Sequence, residues 1–306
     1  MQSSGFLRNW SQVAGESRVA VIDVTGEYSF KDIAQRAERI TSALLQGRES
    51  LASARVGLLV EPGVCFVASF IGILAAGGTV VVLSPLHPNT ESAYFCQDGC
   101  VETIIASISW RSRVEEFASQ IPILEAEVIC SRILHGSSRI IAAGVSLPLV
   151  QNDFPALQLY TSGTTGKPKG AVLTHRNLAA QQDLLKGAWG LGSSDVLLHT
   201  LPLHHMHGLC IALWSVLGAG GRVSFVYPFD ATKVWEGMQN STVFMAVPTI
   251  YAKLLSHFES ATPELQVPWK AAVEKLRLAT SGSAALPVSL AEKWKALTGK
   301  YPLERF

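Results

Sequence analysis

The amino-acid sequence predicts an α/β fold in which parallel sheets are covered by helices on both faces. Helical and strand patterns alternate almost throughout the 306 residues, and such alternation is typical of units with parallel strands. The strand-like segments, among them 79–83, are continuous apolar runs, as expected of strands buried on both faces. A chain of this length has room for about two domains.

The first half of the chain is regular up to about residue 108. Ser29 and Asp32 form a capping-box-like start for a helix whose apolar face continues to Leu44. Residues 111–152 show no strong period, and no element is predicted there. The other predicted elements of this half are a strand at 55–60, a helix at 66–76 and strands at 79–83 and 104–108.

The alternation of helical and strand patterns returns after a loop at 151–155. A strand at 157–160 leads into a loop rich in glycine, threonine, serine and lysine, and Thr174 caps the helix that follows. A final strand begins at about residue 303. The other predicted elements are strands at 195–201, 223–227, 242–247 and 276–280, and helices at 209–217, after Asp230, at 249–258 and after Pro287.

The composition excludes several classes of protein. Hydrophobic residues make up 48% of the chain and charged residues 16%, with a formal net charge of +1, so neither a disordered chain nor a nucleic-acid-binding protein is indicated. The uncharged segment 64–83 is long enough to span a membrane, but Gly77 and Gly78 divide it into a helix and a strand, so no span is expected. The five cysteines lie in apolar surroundings without CxxC spacing, which predicts a reduced, cytoplasmic chain, with mitochondria and peroxisomes left open. The oligomeric state is not predicted.

The segment most informative about function is the loop Tyr160-Thr161-Ser162-Gly163-Thr164-Thr165-Gly166-Lys167-Pro168-Lys169-Gly170. Glycines allow backbone N–H groups to approach an anion closely. The hydroxyl groups donate further hydrogen bonds, and lysines supply positive charge. A flexible linker would need no such mixture directly after an apolar strand, so the loop is predicted to bind a polyphosphate.

This loop differs from the phosphate loop of the Walker type. The Walker motif requires Gly-Lys followed by Ser or Thr at the start of a helix. Here Pro168 follows Gly166 and Lys167, so no hydroxyl is placed to hold magnesium and the helix cannot begin. Kinases and NTPases with Walker motifs are therefore disfavoured.

Three other segments accompany the loop: Tyr-Ser-Phe-Lys-Asp at 28–32, Pro-Leu-His-His-Met-His-Gly at 202–208 and Ser-Gly-Ser-Ala-Ala-Leu at 281–286. Together with 160–170 they resemble the signature motifs of the adenylate-forming superfamily. That superfamily comprises acyl-CoA synthetases, luciferases and the adenylation domains of peptide synthetases. The resemblance covers the chain from about residue 15 to its end.

The resemblance implies that 1–306 form a partial N-terminal AMP-binding domain of two αβα layered subdomains. These are expected at about 1–155 and 156–306, with the phosphate loop and the acyl pocket in the second. In the superfamily a Tyr-Gly-x-Thr-Glu motif follows the segment that 303–305 resembles, and a C-terminal lid domain comes later; neither stands in this sequence. A chain without them is expected to bind ATP weakly and to form no thioester alone, since several electrostatic contributors are missing together.

The implied activity is that of an AMP-forming acid–thiol ligase. A carboxylate attacks the α-phosphorus of ATP, helped by Mg²⁺, and coenzyme A then converts the acyl-adenylate into a thioester. His205 stands at the position of the superfamily's catalytic histidine, and no residue of this chain is assigned as a metal ligand. The residues implied to bind the phosphates are Thr161, Ser162, Gly163, Thr164, Thr165, Gly166, Lys167 and Lys169.

The acyl pocket is implied to contain Ser281, Gly282, Ser283 and Ala284. One interpretation adds His207 and Arg277 as a clamp for a second carboxylate, because a guanidinium binds a carboxylate through two hydrogen bonds. The other treats His207 as structural and pairs Arg277 with Glu274. Taken with Pro-Thr-Ile-Tyr at 248–251 and the segment 281–287, the clamp makes the sequence most resemble the malonyl-CoA synthetase branch, which acts on a short dicarboxylate such as malonate or methylmalonate.

Other functions remain open from the sequence alone. The chain is also compatible with a non-catalytic remnant that acts as an interaction module. Another acyl-CoA synthetase, or an adenylation domain that loads a carrier protein, is compatible with the same motifs.

Overall fold

The computed structural model describes residues 5–131, 149–161 and 166–305. Its Cα atoms group into two compact units. Unit 1 comprises Met1–Arg18 and Tyr28–Ala180, and unit 2 comprises Val19–Glu27 and Gln181–Phe306. Four of the predicted phosphate-binding residues lie outside the described residues: Ser162, Gly163, Thr164 and Thr165.

Helices and strands alternate along both units, as the sequence predicts. Up to residue 131 the elements are α1 (Gly5–Val13), β1 (Val19–Asp23), β2 (Gly26–Ser29), α2 (Phe30–Leu45), β3 (Arg55–Leu59), α3 (Val64–Ala75), β4 (Thr79–Val82), α4 (Asn89–Asp98), β5 (Val101–Ala106), a 3₁₀ turn (Ile108–Trp110), α5 (Arg111–Ala118), β6 (Ile123–Glu125) and α6 (Ala126–Ser131). Those that follow are β7 (Pro155–Thr161), β8 (Lys169–Thr174), α7 (His175–Trp189), β9 (Val196–His199), a π-helix (His207–Trp214), α8 (Ser215–Gly218), β10 (Arg222–Phe225), α9 (Ala231–Gly237), a 3₁₀ turn (Met238–Asn240), β11 (Val243–Ala246), α10 (Pro248–Ser260), α11 (Pro263–Val273), β12 (Leu278–Ser281), α12 (Val288–Thr298) and β13 (Leu303–Glu304).

Unit 1 contains a six-stranded sheet in the order β6-β5-β3-β4-β7-β8. Its strands are parallel except for the antiparallel pair β7–β8. Side chains of α4 and α5 pack on one face in a buried cluster that includes Leu59, Val81, Phe95 and Ile104, and α3 also packs on β3 and β4. The predicted capping box is confirmed: Ser29 Oγ accepts from Asp32 N at 3.1 Å, and the Asp32 carboxylate accepts from Ser29 N at 2.9 Å.

Strand β8 is one of the elements that the sequence did not predict, since 161–173 read as loop; the others are α1, β1, β2, α4, α5, β6, α6 and α11. The residues of β8 are exposed or half-buried, and its apolar run, 171–173, is only three residues long. It is held by pairing with β7, in which Tyr160 lies opposite Gly170 and Thr161 opposite Lys169. Because β7 and β8 complete the first sheet, the first unit extends to residue 180 rather than ending near 155, and the phosphate-loop stems belong to unit 1.

Unit 2 contains a seven-stranded sheet in the order β13-β12-β11-β9-β10-β1-β2. The pairs from β13 to β1 are parallel. The carboxyl ends of β9, β12 and β13 therefore lie at one edge of this sheet, which is where open α/β sheets bind ligands. The predicted helix at 209–217 is present, but as a π-helix followed by α8; π-helical turns are frequent at functional sites.

A cluster of aromatic side chains fixes the helices of unit 2 on the sheet. Trp235 lies between Trp269 and Trp294, with ring centroids 5.8 and 6.2 Å away. Tyr251 packs edge-on against Trp294, and its hydroxyl donates to the Thr280 carbonyl oxygen at 2.9 Å. These contacts hold the end of β12, from which the predicted acyl-pocket loop begins.

Two further predictions from the sequence concern membrane-spanning helices and the cysteines. Within the described residues, no helix combines the length and the apolar character needed to cross a membrane. All five cysteines are free, but Cys100 is exposed, so the expectation that every cysteine lies in an apolar setting is wrong for this one.

Candidate functional site

The two stems of the phosphate loop form the end of the β7–β8 hairpin in unit 1. Thr161 and Lys169, which lie opposite each other, are both exposed, as is Lys167. The hairpin therefore presents one hydroxyl and two ammonium groups beside the predicted phosphate-binding segment. Exposed positively charged groups next to glycines suit an anionic ligand.

Gly166 has the backbone conformation that this loop requires of a glycine. Its φ angle is +104°, and a Cβ added there would meet no atom of the described residues within 4 Å. An L-residue is therefore strained at this position by its backbone alone, without any steric overlap. The glycine of the motif is required for the turn that leads into β8.

The second group of predicted residues lies in unit 2, after β9. His199, at the end of β9, is buried and donates from Nε2 to the Gly208 carbonyl oxygen at 2.9 Å. This bond fixes the segment 205–208 to the carboxyl edge of the sheet. The His205 side chain is exposed, whereas His207 is buried with 4% of its surface accessible.

His207 is neutral at physiological pH. Burial lowers its pKa to about 4, and the positive charge of Arg305 and the nearby His199 act in the same direction. Its Nδ1 is hydrogen-bonded to Ser283 Oγ at 3.1 Å. Its Nε2 is buried without a hydrogen-bond partner among the described residues, as is Ser281 Oγ. Buried polar atoms of this kind are normally paired, so His207 Nε2 and Ser281 Oγ are each available to a polar partner.

Arg305 lies beside His207 at the same edge of the sheet. A Cβ added to Gly282 would lie 2.9 Å from Arg305 Cγ and 3.2 Å from His207 Cε1, which shows how closely these three residues approach. Burial lowers the pKa of Arg305, but a guanidinium stays protonated at neutral pH. Ser283 has φ +67°, a strained conformation that is frequent at functional sites. The structure thus brings together His207, Gly282 and Ser283 with Arg305.

Arg277 does not belong to this group, and its prediction as a pocket residue is corrected. It precedes β12, whereas Ser281 ends β12, so the two are about 13 Å apart along the strand at ~3.3 Å per residue. Arg277 Nε donates to Asp195 Oδ1 at 2.6 Å, and its Nη1 donates to the Trp189 carbonyl oxygen at 2.9 Å. The alternative pairing with Glu274 is not found either. Arg277 is a structural residue of the amino edge.

Arg305 was missed by sequence reasoning, although a signal for its position existed. Arg305 comes directly after β13, which pairs in parallel with β12. Residues that follow neighbouring parallel strands meet at one edge of a sheet. That rule alone would have placed Arg305, rather than Arg277, beside Ser281 and Gly282.

The absence of a side chain at Gly208 permits the close packing of the backbone at this edge of the sheet. A Cβ there would overlap the Pro202 carbonyl oxygen and lie 3.0 Å from Leu201 Cβ. Gly208→Ala is expected to lower the free energy of unfolding by about 1–3 kcal/mol, since the backbone must shift. Urea denaturation measures this change. The control is Gly187→Ala in α7, where a Cβ meets nothing within 4 Å, and an unchanged or increased stability is expected. If both substitutions changed the free energy of unfolding equally, the steric overlap expected at Gly208 would be contradicted.

Comparison with known proteins agrees with these features. The profile of a family described as "AMP-binding enzyme" matches residues 7–305. The chain is 36% identical to mouse (Mus musculus) malonate–CoA ligase ACSF3, mitochondrial, over 94% of this chain and 52% of that protein. It is 32% identical to malonate–CoA ligase of Arabidopsis thaliana, over 94% of this chain and 52% of that protein. The crystal structure of ATP-bound MatB from Rhodopseudomonas palustris matches with a TM-score of 0.82 and 28% identity, covering 100% of this chain and 59% of that chain. The chain spans about half the length of the curated relatives it matches.

Proposed function

The chain belongs to the AMP-binding enzyme family, and on that premise we propose that it binds ATP for the activation of a carboxylic acid. The carboxylate attacks the α-phosphorus of ATP and forms an acyl-adenylate with release of pyrophosphate. The thiol of coenzyme A then attacks the acyl carbon, giving a thioester and AMP. The family membership supports the reaction class, and the ATP-bound MatB structure supports the nucleotide.

The physical difficulty of the first step is that two anions must approach each other. Backbone N–H groups, hydroxyls and ammonium groups that are already in place stabilise the β- and γ-phosphates without reorganisation. Mg²⁺ is expected to arrive with ATP, because this ion usually binds substrate phosphates and retains several waters. The residues of the chain proposed for this task are Thr161, Lys169 and the loop between them.

One observation carries the nucleotide proposal: the glycine- and hydroxyl-rich loop closes a hairpin whose Gly166 has φ +104°. Glycines in this conformation are common in the backbone turns that bind anions. The exposed Thr161 and Lys169 stand at the two stems.

We further propose that the acid is a short dicarboxylate such as malonate. One carboxylate must react, so the other needs a partner of its own, since an unpaired buried carboxylate is strongly unfavourable. Arg305 supplies the charge for it, and neutral His207 supplies a hydrogen bond through Nε2. An enzyme for fatty acids would instead require an apolar lining. The names of the mouse and Arabidopsis relatives support the same acid.

The test of the nucleotide proposal is to measure ATP binding by the 306-residue chain and by Gly166→Ala. The substitution forces a strained backbone conformation at ~1–2 kcal/mol, so ATP should bind about tenfold more weakly. Isothermal titration with ATP and Mg²⁺ gives both dissociation constants.

Gly47→Ala is the matched control for this test. Gly47 has φ +88° and equally open space around a Cβ, but it lies outside the phosphate loop. Both substitutions should reduce stability similarly, and only Gly166→Ala should weaken ATP binding. A chain that binds no ATP contradicts the proposal, as does an equal effect of both variants. Exchange of pyrophosphate into ATP with malonate then measures whether these residues also perform the first step.

A further inference from the structure

Helix α4 is attached to the strand that enters the phosphate loop. The ring of Tyr160, the last residue but one of β7, stacks on Phe95 of α4 with centroids 4.0 Å apart and planes 10° apart. The Tyr160 hydroxyl donates to Asp98 Oδ2 at 2.8 Å. Gln158 Nε2 donates to the same hydroxyl at 2.9 Å, which fixes its orientation. The entering stem is thus held by stacking and by a hydrogen bond to a carboxylate.

The same helix is attached to the strand that leaves the loop. The Tyr94 hydroxyl donates to the Pro168 carbonyl oxygen at 3.1 Å. The ammonium group of Lys167 lies 5.8 Å from the centroid of the Tyr94 ring, within the range of a cation–π interaction. Tyr94 and Asp98 are one helical turn apart, so a single face of α4 meets both stems.

We propose that Tyr94 and Asp98 are positioning residues for ATP, which hold the two stems of the phosphate loop in register on α4. This inference rests on the proposed function, since it concerns the binding of ATP by that loop. It also gives Lys167 a role distinct from that of Lys169: the Lys167 side chain belongs to the attachment on Tyr94, and the direct phosphate contact falls to Lys169 and the loop.

The physical reason is preorganisation. Backbone N–H groups stabilise phosphate oxygens effectively only if they are held close to their binding geometry before the ligand arrives. A loop whose stems are free must be ordered at the moment of binding, which weakens affinity. Because β8 stands at the edge of its sheet, with β7 as its neighbour, α4 adds a second restraint on its exit stem.

The test compares ATP with AMP in the unchanged chain and in Tyr94→Phe. The variant keeps the ring beneath Lys167 and removes only the hydroxyl, which lies 3.1 Å from the Pro168 carbonyl oxygen and 3.4 Å from Asp98 Oδ1. ATP should bind about three- to tenfold more weakly, the effect of one lost hydrogen bond, whereas AMP, which has no β- or γ-phosphate, should bind within about twofold of the original affinity. Asp98→Ala, which removes the carboxylate that accepts from the Tyr160 hydroxyl, should show the same difference between the two nucleotides.

The matched control is Tyr301→Phe in unit 2. Tyr301 also bears a lysine over its ring, with Lys295 Nζ 4.3 Å from the centroid, and its hydroxyl bonds to Glu292. This variant should leave both affinities unchanged. The inference is overturned if Tyr94→Phe binds ATP as the unchanged chain does, or if ATP and AMP are weakened equally, which would indicate a general structural role. If the unchanged chain binds no ATP, the proposed function itself fails, and that result is distinct from either of the other two.

Discussion

Replacing Arg277 by alanine is expected to lower the free energy of unfolding by about 2–4 kcal/mol at pH 7. Asp195 is buried, with 3% of its side chain accessible, and it would lose its bidentate partner. Removing one member of a buried pair typically costs ~3–5 kcal/mol, and the partial exposure of the guanidinium reduces this. Urea denaturation measures the change. Arg176→Ala is the control, because its pair with Asp153 is exposed on both sides and should contribute at most about 1 kcal/mol.

The effect of Arg277→Ala should depend on pH with a definite sign. Burial would raise the pKa of Asp195, but hydrogen bonds from Arg277, Gly192 and Thr242 hold it below its ordinary value. A carboxyl group whose folded pKa is lowered stabilises the fold above its unfolded pKa of ~3.9, and this stability is lost as the pH falls through the folded value. The difference in stability between the two proteins should therefore shrink below about pH 4. A difference that stays constant with pH, or that equals that of Arg176→Ala, would contradict the structural role.

The alternation of helices and strands was predictable because buried parallel strands are continuous apolar runs. Strands such as β4 and β11, in which every residue is buried, were placed to within one or two residues. Strand β8 carries no such signal: its residues are exposed or half-buried, and its pairing with β7 across the phosphate loop determines it. The hydropathy pattern of a single segment does not reveal a strand that is stabilised mainly by pairing with the neighbouring strand.

The site was predictable to the extent that its residues form contiguous motifs. The segments 160–170, 202–208 and 281–286 could each be recognised in the sequence. Arg277 was chosen because it stands near Ser281 in the chain, but four residues along a strand separate the two edges of a sheet. Arg305 stands far from Ser281 in sequence and meets it through the parallel pairing of β12 with β13. Tyr94 and Asp98 approach the loop only through tertiary packing, for which the sequence offers no periodic signal.

Arg305→Met is expected to weaken malonate binding by about a hundredfold in the presence of ATP. The guanidinium is the charged partner proposed for the second carboxylate, and a charge-assisted pair is worth ~1.5–3 kcal/mol. Methionine preserves much of the side-chain length, so the contact with Gly282 is largely kept. Propionate lacks the second carboxylate, so its affinity should change by less than about threefold. Equilibrium titration of both acids measures the ratio of the malonate affinity to the propionate affinity. This ratio should be much smaller in the variant than in the unchanged chain.

The control for Arg305→Met must carry the same change of charge in the same unit. Arg222→Met meets that requirement, because Arg222 begins β10 and therefore lies at the amino edge of the sheet. If the loss of malonate affinity came from the overall charge of the unit, both variants would show it. If Arg305 binds the second carboxylate, Arg222→Met keeps the preference for malonate over propionate. Equal losses for malonate and propionate in Arg305→Met would place Arg305 at the reacting carboxylate or in the fold, and would remove the physical basis for a dicarboxylate substrate.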